Sequence, residues 1–162
     1  MQQLADTRTT LHIRHHYAAP PARVFDAWLS PQLAGLWLFA TASRPMVNVT
    51  IDARSGGAFC LVERRAGAVI EHRGRYVEIL RPQRLVFMLH SKDCAPKEVP
   101  LGGAPHATRV TAVFTAQDRT CMLELMHEDL PADHAAHMEA RWTGMLYGLG
   151  VVLTGRDSGE RL

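Results

Sequence analysis

Hydrophobic and polar residues alternate along most of this chain, which is the pattern of strands that bury one face. The alternation is clearest over residues 11–17 and again over residues 121–127. Gly, Pro and polar residues separate the alternating stretches, so the sequence predicts a curved, seven-stranded antiparallel sheet. The five further stretches lie at residues 47–51, 59–61, 74–79, 85–89 and 110–114.

Two short helices are predicted between the first and the second strand. Pro21 follows the first strand, and proline suits the first turn of a helix because its missing N–H is not needed there. Apolar residues then recur at helical spacing as far as Trp28. Pro31 breaks that helix and begins a second one that continues through Trp37.

The last third of the chain changes from alternation to helical spacing. We expect Asp129 or Leu130 at the N-cap, Pro131 in the first turn, and Gly155 at the C-terminal end. Apolar residues recur between these limits at intervals of three and four, which places them on one side of a helix packed on the sheet. This stripe consists of Ala135, Met138, Trp142, Met145, Leu149 and Val152.

Three glycines, Gly144, Gly148 and Gly150, interrupt the same helix. Each costs about 1 kcal/mol relative to alanine in a helix interior. Their missing side chains leave room either for a ligand or second helix, or for close packing of a neighbouring strand or loop.

These elements predict one domain over residues 10–154, with a flexible tail at 1–9 and another at 155–162. Residues 91–106 hold three prolines and two glycines and lack periodicity, so they are predicted to form a long loop. Long loops in compact domains are often functional. The sequence does not say what this one does.

Composition narrows the class of protein without naming its function. The 162 residues are 47% hydrophobic and 21% charged, as in ordinary globular proteins, and the net charge of +2 does not favour nucleic acid as a partner. No apolar run is long enough to span a membrane. Cys60, Cys94 and Cys121 lack CxxC spacing, and no secretion signal precedes them, so a reducing cytoplasmic location is expected.

Several segments occur in the order and spacing of a known family. They are residues 20–28 (PPARVFDAW), 52–59 (DARSGGAF), 74–79 (GRYVEI), 82–87 (PQRLVF) and 126–131 (MHEDLP), followed by the helix that carries Trp142. Together they resemble activator-of-Hsp90-ATPase-homologue-like (AHSA1-like) domains, which belong to the START-like, Bet v 1-like helix-grip superfamily, also called SRPBCC. The resemblance runs from about Leu11 to Leu153.

The resemblance implies an α+β helix-grip fold, in which the sheet wraps around the C-terminal helix and the two short helices close one end. Such domains keep a cavity between helix and sheet, commonly for an apolar small molecule. Leu38-Phe39-Ala40 follows Trp37 where relatives often have a second aromatic residue and a proline. The segment that closes the cavity is therefore expected to differ here.

The candidate ligand-binding residues are mostly aromatic or sulfur-containing, and apolar residues with few polar groups are typical of small-ligand sites. Alternation along the last strand points His127 inward, where a histidine can hydrogen-bond a ligand or act as a general base. His127 and Tyr76 are accordingly the candidate catalytic residues, and His72 is a further candidate for orienting a polar group. The ligand-binding set is Trp37, Phe59, Tyr76, Phe87, His127, Met138, Trp142 and Met145.

No metal or cofactor is expected. His134 and His137 share one helical side, but a zinc site needs further ligands that the sequence does not place nearby. The chain also has no P-loop, no dinucleotide fingerprint and no G-x-S-x-G motif. A solvated helix face is the simpler interpretation of these histidines.

Three functional hypotheses remain. The leading one is a domain that binds a small hydrophobic or aromatic molecule, with neither nucleic acid nor membrane as a partner and a homodimer left possible. The alternative is a polyketide cyclase-like or other acid–base enzyme that uses the same pocket. The third is an interaction of the Hsp90 co-chaperone type, which ranks last because no large charged patch is evident.

Overall fold

The computed structural model describes residues 7–39, 48–65, 67–90 and 107–160. The predicted loop at 91–106, with Cys94, and the tail residues 1–6 and 161–162 lie outside the described residues. The described elements are, in chain order, β1 (Arg8–Tyr17), α1 (Pro21–Leu29), α2 (Pro31–Trp37), β2 (Asn48–Ile51), β3 (Ala58–Arg65), β4 (Ala68–Leu80), β5 (Arg84–His90), β6 (Ala107–Gln117), β7 (Thr120–Pro131) and α3 (Ala132–Glu160).

The strands form one antiparallel sheet in the order β1-β7-β6-β5-β4-β3-β2. Helix α3 packs against β1, β7 and α2, while α1 packs against β6 and β7. The predicted α+β helix-grip architecture is therefore confirmed, including the two short helices between the first two strands. Alternation along the strands places the apolar side chains of the sheet on its concave face, where they pack against α3.

The two short helices are fixed by local hydrogen bonds. The Ser30 hydroxyl accepts a hydrogen bond from the backbone N–H of Leu33 at 3.4 Å and so caps α2. Trp37 at the end of α2 donates from Nε1 to the carbonyl of Ala27 in α1, at 3.1 Å. This bond holds α1 and α2 together as one unit above the sheet.

The start of α3 differs from the sequence-based expectation. Leu11 pairs with His127 and Thr9 pairs with Leu130, so β7 has one residue more than β1 in this interval. Asp129 has a φ of 65°, which absorbs the extra residue as a β-bulge. The strand therefore continues through Pro131, and the predicted helix start at Asp129–Pro131 is wrong.

The predicted limits of the domain also shift. Strand β1 begins at Arg8, inside the predicted tail at 1–9, and the backbone N–H of Ala132 donates to the carbonyl of Thr7 at 2.9 Å. Helix α3 passes Gly155 and continues to Glu160. Gly155 was predicted to end this helix, but a glycine permits a helix end without requiring one.

Two glycines of α3 face neighbouring elements. A Cβ at Gly148 would lie 3.7 Å from Cβ of Trp37, and one at Gly150 would lie 3.6 Å from the Tyr17 ring. These are ordinary contact distances, so a methyl group would fit at either position. Apart from the backbone of α3 itself, no described atom lies within 4 Å of such a Cβ at Gly144.

One glycine of the sheet lies directly beneath an aromatic ring. Gly74 in β4 pairs with Phe59 in β3, and the Phe59 ring covers the glycine. A Cβ at position 74 would collide with this ring and with the backbone carbonyl of Met88. Glycine at this site is therefore a requirement of interior packing.

We predict that Gly74→Ala and Gly144→Ala change stability in opposite directions. Gly74→Ala forces the Phe59 ring or the β5 backbone to move, which costs about 1–3 kcal/mol or more, as overpacking of a core does. Gly144→Ala adds a methyl group in open space on a helix and stabilises by about 0.5–1 kcal/mol. Urea unfolding of both variants measures the difference, and equal effects would contradict the described packing.

Candidate ligand-binding site between the sheet and helix α3

Three tryptophans form the centre of the interior. The ring of Trp28 lies 4.8 Å from that of Trp37 and 6.1 Å from that of Trp142, as centroid distances. All three side chains are buried. The indole N–H groups of Trp37 and Trp142 are hydrogen-bonded, whereas that of Trp28 has no partner among the described residues.

A hydrogen-bonded chain connects α3 to the sheet through His127. Trp142 donates from Nε1 to Nδ1 of His127 at 2.9 Å, and Nε2 of His127 lies 2.7 Å from the hydroxyl of Thr108. An indole N–H can only donate, so Nδ1 must be the unprotonated nitrogen and Nε2 must carry the proton. His127 therefore donates to Thr108, whose hydroxyl lies 3.5 Å from the carbonyl of Leu89 and donates to it.

The surroundings of His127 keep its imidazole neutral. Burial lowers the pKa of His127 from its ordinary value of 6.5 to about 4. The predicted inward direction of this side chain is confirmed, since His127 is only 1% exposed. Its single lone pair is occupied by Trp142, an arrangement that suits a structural clamp better than a general base.

A second polar pair lies on the concave face of β3 and β4. Glu63 and His72 are 2% and 3% exposed, and Nε2 of His72 lies 3.4 Å from Oε1 of Glu63. Alternation places both on the same side as Leu61, which faces the core. A carboxylate and an imidazole are thus buried together in an interior that is otherwise largely apolar.

Phe39 joins the two polar clusters. Its ring stacks on His72 with centroids 4.7 Å apart and planes inclined by 7°, and it lies 6.1 Å from the Trp142 ring. The backbone N–H of Phe39 donates to Sδ of Met145 at 3.0 Å. The φ angle of Phe39 is 61°, a left-handed conformation that is a genuine outlier for a bulky residue.

Most of the predicted ligand-binding residues are brought together, but they pack on one another. Phe59 contacts Tyr76 and Phe87 at centroid distances of 5.2 and 5.4 Å, and the Tyr76 and Phe87 rings are 6.4 Å apart. Met138 is half-buried, whereas the other members of the predicted set are buried. These side chains fill the interior in the described conformation.

The two candidate catalytic residues are far apart. Tyr76 pairs with Phe87, Phe87 with Val110, and Val110 with His127, so both candidates lie in one row across four strands. Three strand spacings amount to about 14 Å along the sheet. Burial also raises the pKa of the Tyr76 hydroxyl well above its ordinary range. This geometry does not favour the pair acting on one substrate atom.

Sequence reasoning missed Phe39, Glu63 and Thr108. Alternation carries a signal for two of them, because Glu63 follows Leu61 by two positions and Thr108 precedes Val110 by two. For Phe39 the only signal is the unusual segment after α2. Its position over His72 depends on a positive φ that the sequence does not encode in any recognisable way.

The hydrogen-bonded chain through His127 ends near the protein surface. A groove of about 480 Å³ at the ends of β1, β6 and β7 includes Thr108 in its lining, so the outer end of the His127 chain reaches the surface.

Within the described ranges, no three His, Cys, Asp or Glu side chains are grouped as a metal site would need. His134 and His137 are exposed on α3, and their ring centroids are 6.0 Å apart. No helix in the described part of the chain is long and apolar enough to cross a bilayer.

Solved structures with the same architecture come from several bacteria. A Chromobacterium violaceum protein is 23% identical with a TM-score of 0.74, and the match covers 88% of this chain and 95% of that one. An AHSA1-like protein from Aeromonas hydrophila is 18% identical with a TM-score of 0.75, covering 92% and 94%. A Rhodobacter sphaeroides protein is 22% identical with a TM-score of 0.74, covering 91% and 93%. At these identities the likeness shows the fold alone.

The curled seven-stranded sheet around α3 is a helix-grip fold, the architecture of START-like domains. Residues 18–154 match the family described as activator of Hsp90 ATPase homolog 1-like protein, and the chain belongs to that family. No curated protein matches the chain significantly. The resemblance inferred from the sequence motifs is therefore confirmed.

We predict that His127 makes the fold sensitive to acid. Between about pH 6.5 and pH 4 the unfolded chain takes up a proton at this histidine that the folded chain does not. The resulting stability is fully present above about pH 6.5, falls as the pH drops towards about 4, and amounts to about 3 kcal/mol. Urea unfolding at pH 7 and pH 4 measures this loss, which His127→Gln should diminish.

His137→Gln is the matched control for that measurement, because His137 is exposed on α3. It should keep the pH dependence of the wild-type protein. Identical pH dependence in the His127→Gln variant and the wild-type protein would show that His127 is not a neutral, buried clamp.

Proposed function

We propose that this domain binds a small hydrophobic or aromatic molecule between the concave face of the sheet and α3. The observation that carries the proposal is the buried pair of Glu63 and His72, which are 2% and 3% exposed, with the His72 ring stacked on Phe39. Membership of a START-like family supports the general class of ligand-binding domain.

A buried polar pair such as Glu63 and His72 generally adds little net stability to an apolar interior. Desolvating a carboxylate costs several kcal/mol, and replacing a buried polar pair by apolar side chains of similar volume is often neutral or stabilising. Buried ionisable groups in an apolar interior are candidates for a functional site on this physical ground. We infer that the pair is present to meet a polar group of the ligand.

Trp28 gives the proposed ligand a further recognition element. Its indole N–H is buried and lacks an acceptor among the described residues, and leaving such a donor unmade costs about 1–3 kcal/mol. An oxygen acceptor on the ligand would satisfy it. The ligand we propose is therefore mostly apolar and carries one or two polar atoms.

The other hypotheses have less support. The acid–base enzyme needs His127 as a base, but Trp142 occupies its lone pair and Tyr76 lies about 14 Å away along the sheet. The family description mentions an activator of the Hsp90 ATPase, and no described surface of this chain favours that role.

Native mass spectrometry of gently purified protein tests the proposal. We expect the wild-type protein to carry an extra mass that is lost on denaturation, either as purified or after incubation with a cell extract. The double variant Glu63→Leu/His72→Leu should stay folded and lose this mass, because it removes the polar recognition elements while keeping the interior filled.

Thr111→Val is the matched control, because Thr111 is a buried polar residue on the opposite, convex face of the sheet. It should retain the extra mass. A wild-type protein that stays bare under both conditions, or a double variant that keeps the full amount of ligand, would contradict the proposal.

A further inference from the structure

We infer that Phe39 is an internal occupant of an aromatic slot, and that the ligand is a neutral molecule whose planar aromatic ring takes the place of the Phe39 ring. This inference rests on the proposed function and names its ligand class. It assigns to Phe39 the role of a competitor for the site.

The slot has two walls on different elements. His72 in β4 provides a flat floor, on which the Phe39 ring stacks at 4.7 Å with an angle of 7° between planes. Trp142 in α3 provides the second wall, 6.1 Å away and inclined by 57°. A single aromatic ring fills the space between them, so the slot matches a planar ring in thickness and shape.

The chemistry of the walls selects a neutral aromatic ring. Stacking on an imidazole at a small interplanar angle requires a planar partner, which a saturated ring of the same size cannot supply. The polar groups next to the slot, Glu63 and His72, already contact each other. A charge on the ligand would have to be buried in this largely apolar interior, which is strongly unfavourable.

Phe39 is the buried aromatic residue most easily displaced. Among the described residues it is the only buried Phe, Tyr or Trp outside a helix or strand, so its movement breaks no ladder or helical hydrogen bond. Its backbone N–H donates to the Met145 sulfur, a weak acceptor. Its φ of 61° stores strain that leaving the slot would release.

Neighbouring rings lack this freedom. Trp37 and Trp142 are anchored by indole hydrogen bonds to Ala27 and His127. Phe59 and Phe87 come from strands inside the sheet and pack on each other and on Tyr76, so neither ring can leave without disrupting these contacts. The exchange of one ring for another is therefore confined to the position of Phe39.

Titration calorimetry with p-cresol tests the inference, with 4-methylcyclohexanol as the saturated counterpart of the same size and polarity. Phe39→Ala removes the internal competitor and should bind p-cresol at least about tenfold more tightly than the wild-type protein, as expected if Phe39 leaves the slot less than a tenth of the time. The saturated alcohol should gain much less. Leu38→Ala, a truncation of the buried neighbour on the same segment, should bind p-cresol as the wild-type protein does.

Two results would overturn the inference. One is p-cresol affinity that is equal in the wild-type protein and Phe39→Ala, which would place the ligand elsewhere and leave the proposed function standing. The other is a folded Phe39→Ala variant that does not bind p-cresol, which would remove the slot whatever ligand the mass spectrum reveals. If the wild-type protein and Phe39→Ala both lacked an extra ligand mass in native mass spectrometry, that result would instead count against the proposed function.

If Phe39→Ala does not fold, Phe39→Leu keeps the segment apolar without a ring and serves in its place. A second measurement uses the wild-type protein itself. Saturating p-cresol should give nuclear Overhauser contacts from its ring protons to His72 and Trp142, with loss of the Phe39–His72 contact. Persistence of the Phe39–His72 contact in the bound state would overturn the inference independently of any variant.

Discussion

The hydrogen bond from Trp142 to His127 is the constraint on which the interior depends. It joins the first half of α3 to the second half of β7, at a point where both side chains are buried. It also fixes which nitrogen of His127 carries the proton, and hence the direction of the bond to Thr108. Removing either partner would leave a buried polar atom unpaired, which costs about 1–3 kcal/mol.

Further hydrogen bonds hold α3 and the two short helices in place. The Tyr17 hydroxyl donates to the carbonyl of Leu146 at 2.7 Å, so β1 holds the same part of α3 that His127 holds from β7. Helices α1 and α2 are joined through Trp37. Among the buried aromatic residues that the structure describes, Phe39 is the one that lies in neither a helix nor a strand, so we expect an exchange of rings to take place there.

Sequence reasoning reached the architecture because period-two and helical patterns are local. They predicted the seven strands, the apolar stripe of α3 and the inward direction of His127. Sequence patterns did not predict the bulge at Asp129, because a bulge depends on how β7 pairs with β1 and not on β7 alone.

The candidate site was harder to predict than the fold. Alternation aligns Glu63 with Leu61, but a charged residue is ordinarily expected at the surface. The contact between Glu63 and His72 depends on the register of two strands. The position of the Phe39 ring over His72 goes with a left-handed backbone conformation at Phe39, which no local sequence pattern predicts.

The most direct test is the tautomer of His127, measured by long-range ¹H–¹⁵N NMR at pH 7. A neutral ring with the proton on Nε2 and an unprotonated Nδ1 that couples to the Trp142 indole N–H is the result that the structure requires. A ring protonated on Nδ1, or on both nitrogens, would mean that Trp142 does not donate to it. The interior would then not be clamped at α3, and Phe39 would not be singled out as its movable part.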